Sequence, residues 1–164
     1  MNRRAYLLGA LWLLSLLGAC GFHLQGVSRL PAAFATTVVL TDDRYSEFSQ
    51  ALVRGLEQSG SRVLHTDQAG VPVIDVLEDK TEQRVLSISA SNLPTEYEVF
   101  YSVRYRVRLD GKELLSPQVL RLSKDYSFNE NAVLAKDEEQ QLIRRGLAQE
   151  LATVVVRRLA ALTP

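Results

Sequence analysis

The stretch from Tyr97 to Leu109 constrains the fold of this chain more than any other. Positions 97, 99, 101, 103, 105, 107 and 109 are Tyr, Val, Tyr, Val, Tyr, Val and Leu, and between them stand Glu98, Phe100, Ser102, Arg104, Arg106 and Arg108. Successive side chains of a strand point to opposite faces, so this alternation predicts a long strand with one apolar face and one mainly polar face. Such a strand belongs in a sheet that is covered on one side and wet on the other. Asp110-Gly111 then supplies the residue pair of a tight hairpin turn. The return strand is expected to run to about Phe128, with Leu120, Leu122, Tyr126 and Phe128 on one face. Pro117 falls early in it, where a sheet edge or a bulge tolerates a missing N–H.

The rest of the chain supplies what covers that sheet. Thr36–Leu40 is short and β-branched, a first strand that Asp42 and Asp43 break. Tyr45, Phe48, Leu52, Val53 and Leu56 then recur at helical spacing and stop at Ser59-Gly60. Arg62–Leu64 reads as a short strand edge, and Val73–Leu77 as a strand after the turn around Gly70 and Pro72. Arg84–Ser89 is either another strand or the distal part of the same bent one. A last helix is expected from about Asp137 to Leu162, with Asp137 capping and Gln140 at the reciprocal position. Glu138 and Glu139 suit its positive start and Arg157 and Arg158 its negative end. Ile143, Leu147, Leu151, Val154, Val155, Leu159 and Leu162 form its buried stripe. The order βα, then strands, then α predicts an α+β two-layer sandwich: two helices packed on one face of a mainly antiparallel four-stranded sheet.

The N-terminus reads as an address. Met1-Asn2-Arg3-Arg4 is positive, and Ala5–Ala19 carries no charge. That run spans about 22 Å as a helix, short of the roughly 30 Å of a bilayer core, which fits a signal peptide rather than a membrane span. It ends in Leu17-Gly18-Ala19-Cys20, a tetrapeptide that resembles a bacterial lipobox and holds the only cysteine of the chain. The expected organisation is a signal peptide over 1–19, a lipidated tether over 20–35 and a single domain over 36–164, with Cys20 as the acylated residue. Once acylated, Cys20 has no thiol left for disulfides or catalysis, and its acyl chains anchor the protein without spanning the bilayer. Gly21 follows the cysteine where lipoproteins retained at the inner membrane often carry Asp, which favours the outer membrane.

Charge narrows the partners. The chain has 164 residues with 19 basic and 19 acidic side chains, a balance that excludes the basic footprint of a nucleic-acid binder. Catalytic patterns are absent: there is no Gly-x-Ser-x-Gly elbow, no glycine-rich phosphate loop and no zinc-binding helix motif. The two histidines, His23 and His65, stand beside the anchor and at a strand edge. No active site, metal or cofactor is expected. The residues of interest are basic. Arg104, Arg106 and Arg108 form a row about 6.8 Å apart along one side of the long strand. Such a row needs either acids on neighbouring strands or an anionic partner. Lys136, just before the last helix, is a second candidate for a phosphate.

Three segments together resemble one family. Cys20-Gly21-Phe22-His23-Leu24-Gln25-Gly26, Thr95-Glu96-Tyr97-Glu98 and Leu134-Ala135-Lys136-Asp137-Glu138-Glu139-Gln140, in that order behind a lipobox, are similar to the lipopolysaccharide-assembly lipoproteins of the LptE (RlpB) family. The resemblance implies an outer-membrane, periplasm-facing lipoprotein that plugs the LptD β-barrel in a 1:1 complex, assists its assembly and binds lipopolysaccharide. The family fold it implies is two helices against a four-stranded sheet. It also implies basic contacts to lipopolysaccharide, one of them matched by Lys136. The other would fall near Ala90, where no charge stands, with Arg84 or the row Arg104, Arg106 and Arg108 as substitutes. The competing readings are a periplasm-facing lipid-binding or transport-auxiliary lipoprotein without a barrel partner, and a hydrolase that would need a base such as His65.

Overall fold

The structure, a computed structural model, describes residues 29–127 and 133–162, the side chains of 133–136 excepted. The expected signal peptide, Cys20 and Phe128 lie outside the described residues. A single 3-10 turn at Ala32–Phe34 leads into β1 (Thr36–Leu40), followed by α1 (Glu47–Gln58) and β2 (Arg62–Leu64). Then come three strands of 16 residues each: β3 (Val73–Ile88), β4 (Pro94–Leu109) and β5 (Lys112–Ser127). The last element is α2 (Val133–Ala160).

The sheet has five strands in the order β2-β1-β3-β4-β5, not four. β1 pairs parallel with both β2 and β3, whereas β3–β4 and β4–β5 are antiparallel. The sheet is therefore mixed. The reason lies in the connections: a helix between β1 and β2 returns the chain to the same end, which makes the pair parallel, while tight hairpins force antiparallel neighbours. Arg62–Leu64, three residues long, is the strand that the expected count of four leaves out. Val73–Ile88 is one continuous strand, bent by irregularities of register at Val76/Glu78 and near Val85–Ile88. Asp110 and Gly111 both take positive φ, 49° and 78°, the geometry of a two-residue primed turn. Pro117 sits on the outermost strand beside the register shift between Tyr105 and Val107.

Both helices lie on the face of the sheet that carries Val99, Tyr101, Val103, Tyr105 and Val107, all buried. Ser46 caps α1, its Oγ accepting from Ser49 N at 3.1 Å. Tyr45, expected on the buried face of this helix, precedes it and is 87% exposed, because Asp43 Oδ1 accepts from Tyr45 N in a local turn. The last helix begins at Val133, four residues before the expected Asp137 cap. Val133-Leu134-Ala135 contains no breaker, so nothing stops the helix from growing N-terminally. The buried stripe of α2 is also wider than expected: Ala148, Ala152 and Val156 join Ile143, Leu147, Leu151, Val155 and Leu159. This helix packs against α1 as well as the sheet, and a Cβ on Gly55 of α1 would stand 3.3 Å from Val156 Cγ2.

A half-buried polar clamp ties α1 to the sheet. Asp79 of β3 points to the helix side, where Ser46 Oγ donates to its Oδ2 at 2.5 Å. Phe48 N donates to Tyr101 Oη at 3.2 Å. Burial pushes the Asp79 carboxyl above its ordinary value, against the opposing effect of the Ser46 and Tyr101 hydrogen bonds. The Tyr101 hydroxyl is pushed up as well, first by burial and then by Asp79.

Candidate interaction surface

The alternation that buries the odd positions of β4 sends its even positions to the other face of the sheet, which no helix among the described residues covers. Register then decides what each of them meets. On β3, Glu78 stands opposite Arg104, Asp75 opposite Arg106 and Arg84 opposite Glu98. The register shift at Val76/Glu78 is what puts Asp75 and Glu78, three residues apart, on the same face.

The result is a lattice of ion pairs. Arg104 Nη2 lies 2.6 Å from Glu78 Oε1, and Lys80 Nζ lies 3.5 Å from Glu78 Oε2. Asp75 Oδ2 accepts from Nε of Arg106 at 2.8 Å and from Nε of Arg108 at 2.9 Å. Arg108 Nη2 also reaches Asp67 Oδ2 at 2.7 Å. Arg84 gives both Nε and Nη2 to Glu98 Oε2, at 2.6 and 2.5 Å. The Arg104 guanidinium holds the Glu78 carboxyl below its ordinary value, by hydrogen bond first and charge second. Asp67 and Asp75 together hold Arg108 firmly protonated.

One aromatic ring interrupts the charges. Phe100 is sandwiched between two guanidinium groups, Arg121 at 4.1 Å and Arg84 at 4.7 Å from the ring centroid. Both arginines stack while keeping an acid partner, Glu82 for Arg121 at 3.7 Å and Glu98 for Arg84. This arrangement makes a broad surface that is hydrogen-bonding and polar but carries little net charge.

A family model described as LptE, lipopolysaccharide-assembly, matches residues 35–159, from just before β1 almost to the end of α2. The chain belongs to the LptE family. The LPS-assembly lipoprotein LptE of Pectobacterium atrosepticum is 27% identical over 141 residues, 85% of this chain and 76% of that one. The protein of the same name from Photorhabdus laumondii is 28% identical over 143 residues, with the same shares of the two chains. Among solved structures, the crystal structure of rare lipoprotein B from Shewanella oneidensis is similar with a TM-score of 0.67. It is 25% identical and covers 77% of this chain and 94% of its own. The solution structure of an uncharacterized lipoprotein B from Nitrosomonas europaea gives 0.68 at 28% identity, over 86% and 91% of the two chains. LptE is a family of lipopolysaccharide-assembly proteins and is not known as a family of enzymes.

Within this LptE-family fold the basic residues singled out from the sequence divide into two groups. Arg84, Arg104, Arg106 and Arg108 share the open face, and each has a carboxylate within 3 Å. Of the two alternatives for the row, acids on neighbouring strands are the one observed. Lys136 belongs to the first turn of α2, in the layer on the other side of the sheet, and its side chain lies outside the described residues. The residues missed from the sequence are the acids. Asp67, Asp75, Glu78 and Glu98 had no mark as partners, because their pairing depends on register and on the β3 bulge. His65 lies at an exposed edge, where Arg44 Nη2 donates to its carbonyl at 3.5 Å, and with Arg44 it lines a surface cleft of about 260 Å³. Among the described residues no group of three or more His, Cys, Asp and Glu side chains could hold a metal ion. No helix among them is long and apolar enough to cross a membrane.

Proposed function

We propose that this LptE-family chain is a lipoprotein anchored through Cys20 in the outer membrane, facing the periplasm, and that it seats inside the LptD β-barrel. In that role it assists assembly of the barrel and delivery of lipopolysaccharide through it, as a non-enzymatic partner. The observation that carries the reading is the open face of β3–β4–β5. The lumen of a membrane barrel is polar, and a plug for it needs a rigid polar wall rather than an apolar one. Ion pairs that are closed internally keep such a wall from imposing a strong field on what passes beside it. The names of the relatives, LPS-assembly lipoprotein LptE, support the same reading, and a lipid anchor would raise the local concentration of the plug at the barrel mouth.

Direct binding of lipopolysaccharide is part of the proposal, with Lys136, Arg84 and the row Arg104, Arg106 and Arg108 as its phosphate contacts. Each of the four arginines already has a carboxylate within 3 Å, with which an approaching phosphate would have to compete. The test is a pull-down of C-terminally tagged protein from detergent-solubilised outer membranes, run on gels with and without boiling. A stoichiometric partner whose mobility shifts on heating is expected. Intact lipoprotein in the outer membrane without such a partner would overturn the pairing. Lipopolysaccharide capture that is unchanged by Lys136→Ala would overturn the site.

A further inference from the structure

We propose that a cleft beside the start of α1 binds a phosphorylated sugar, with Arg44 and Arg54 on the phosphate and Tyr45 against the sugar ring. The cleft, about 370 Å³, is lined by Arg44, Tyr45, Gln50, Val53, Arg54 and His65. That is the size of a small-molecule site. None of the five basic residues proposed to contact lipopolysaccharide lines it. Three parts of the chain converge there. The turn after β1 brings Arg44 and Tyr45, one face of α1 brings Gln50, Val53 and Arg54 at i, i+3 and i+4, and His65 follows the end of β2.

The charge of this cleft is unquenched. Each arginine of the open face has a carboxylate partner, whereas Arg44 and Arg54 have none among the described residues. Arg44 Nη2 meets the His65 carbonyl at 3.5 Å, and Arg54 Nη1 meets Gln50 Oε1 at 3.4 Å. Both contacts are long and reach neutral acceptors, so most N–H donors of each guanidinium stay available. No acid lines the cleft. Asp43 Oδ1 is occupied by the Tyr45 N–H, Asp42 lines the neighbouring cleft beyond Arg44, and Glu47 lines another, shared with Arg145 of α2.

The aromatic ring is held in place. Tyr45 is 87% exposed, yet its N–H donates to Asp43 Oδ1 at 2.8 Å and its carbonyl accepts from Gln50 Nε2 at 2.9 Å. Gln50 thereby ties the tyrosine to Arg54, which it contacts through its other amide atom. A ring fixed beside two unpaired guanidinium groups suits a ligand with one anionic end and one C–H face, as a sugar phosphate has. A phosphate monoester carries about −1.5 to −2 charges over three terminal oxygens, enough to engage both arginines at once, whereas one carboxylate is satisfied by a single fork. A peptide is the poorer occupant. β2, the terminal strand on this side, offers only three residues for pairing, and a docking helix would find only Tyr45 and Val53 as apolar contacts.

The experiment titrates the full chain in detergent micelles with glucose 1-phosphate, inorganic phosphate and glucose, while NMR follows the arginine Nε–H signals. Glucose 1-phosphate is expected to shift Arg44 and Arg54, and glucose to shift neither. Arg44→Gln and Arg54→Gln should each weaken glucose 1-phosphate by about tenfold or more. Tyr45→Ala should weaken glucose 1-phosphate and leave inorganic phosphate unchanged. All three side chains are exposed, and thermal unfolding verifies that the variants fold. Arginine signals that do not move, or arginine variants that bind as the parent does, would overturn the proposal. So would a Tyr45→Ala chain with unchanged affinity for glucose 1-phosphate, or a poly-glutamate peptide that binds through these residues more tightly than the sugar phosphate. Lipopolysaccharide in mixed micelles, before and after phosphatase treatment, identifies the source once glucose 1-phosphate binds. The same shifts, lost on dephosphorylation, assign the phosphosugar to a lipid headgroup, and their absence assigns it to a soluble ligand. Every variant keeps Lys136 and the open-face arginines, so failure of this site and failure of the proposed lipopolysaccharide contacts are read separately.

Discussion

A single oxygen of Glu98 accepts both Nε and Nη2 of Arg84, at 2.6 and 2.5 Å. The acid is the sequestered partner, its side chain 12% exposed against 62% for the arginine. Loss of the arginine therefore strands a nearly buried carboxylate, whereas loss of the acid leaves a largely solvated guanidinium. Arg84→Ala is expected to lower stability by about 1–3 kcal/mol, and Glu98→Gln by less. Urea unfolding midpoints of the two variants check the order. Arg84→Ala is accordingly a poor probe of phosphate binding, and Arg84→Lys, which keeps the charge beside Glu98, is the better one.

Asp75 is the hub of the arginine row, since one of its oxygens serves both Arg106 and Arg108. Asp75→Asn leaves the two cations without that charge and exposes a basic strip on the open face. The variant should elute from a phosphate-bearing cation exchanger at clearly higher salt than the parent chain. Elution at the same salt would mean that Asp67 and Glu78 alone suffice to quench the row.

The Asp79 clamp carries a pH signature. Burial raises this carboxyl above its ordinary value of 3.8, so the folded chain holds the proton more tightly than the unfolded one. The stability that protonation contributes is fully present below pH 3.8 and is lost as pH rises through the raised folded value. Asp79→Asn lacks this dependence. The stability of the parent chain relative to Asp79→Asn should therefore increase as pH falls from neutral through the carboxylate range, as read from paired denaturation curves. A difference that stays flat with pH would remove the clamp as a titrating element.

Two helical glycines should respond in opposite senses. A Cβ at Gly55 stands 3.3 Å from Val156 Cγ2, whereas one at Gly146 meets nothing within 4 Å. Gly55→Leu is expected to cost about 1–3 kcal/mol by forcing the helices apart. Gly146→Ala should stabilise by about 0.5–1 kcal/mol, the difference in helix propensity. Thermal unfolding of the two variants separates packing from propensity.

Local periodicity was enough to read β4, its Asp110-Gly111 turn, the placement of Pro117 on an edge and the covered side of the sheet. Each depends on neighbours in the chain: side-chain direction alternates residue by residue, and a turn is decided by its own two φ angles. The same logic located both helices, though the start of the last one moved from Asp137 to Val133 because a helix continues until something stops it. The fifth strand, Arg62–Leu64, was legible only as a short strand edge and was left out of the expected four, since three residues carry no period and only the βα crossover makes it a partner of β1.

The partners of Arg84, Arg104, Arg106 and Arg108 lay beyond local reasoning altogether. Residues 75 and 78 share a face only because β3 bulges between them, and 84 meets 98 only through the β3–β4 register. Alternation decided that these arginines face away from the core, and tertiary pairing decided that their charge is quenched there. The sequence by itself thus determined the layers of this protein, because burial follows from side-chain period. Only the tertiary structure decided the electrostatics of its open face, because attraction between charges depends on distances that strand register alone sets.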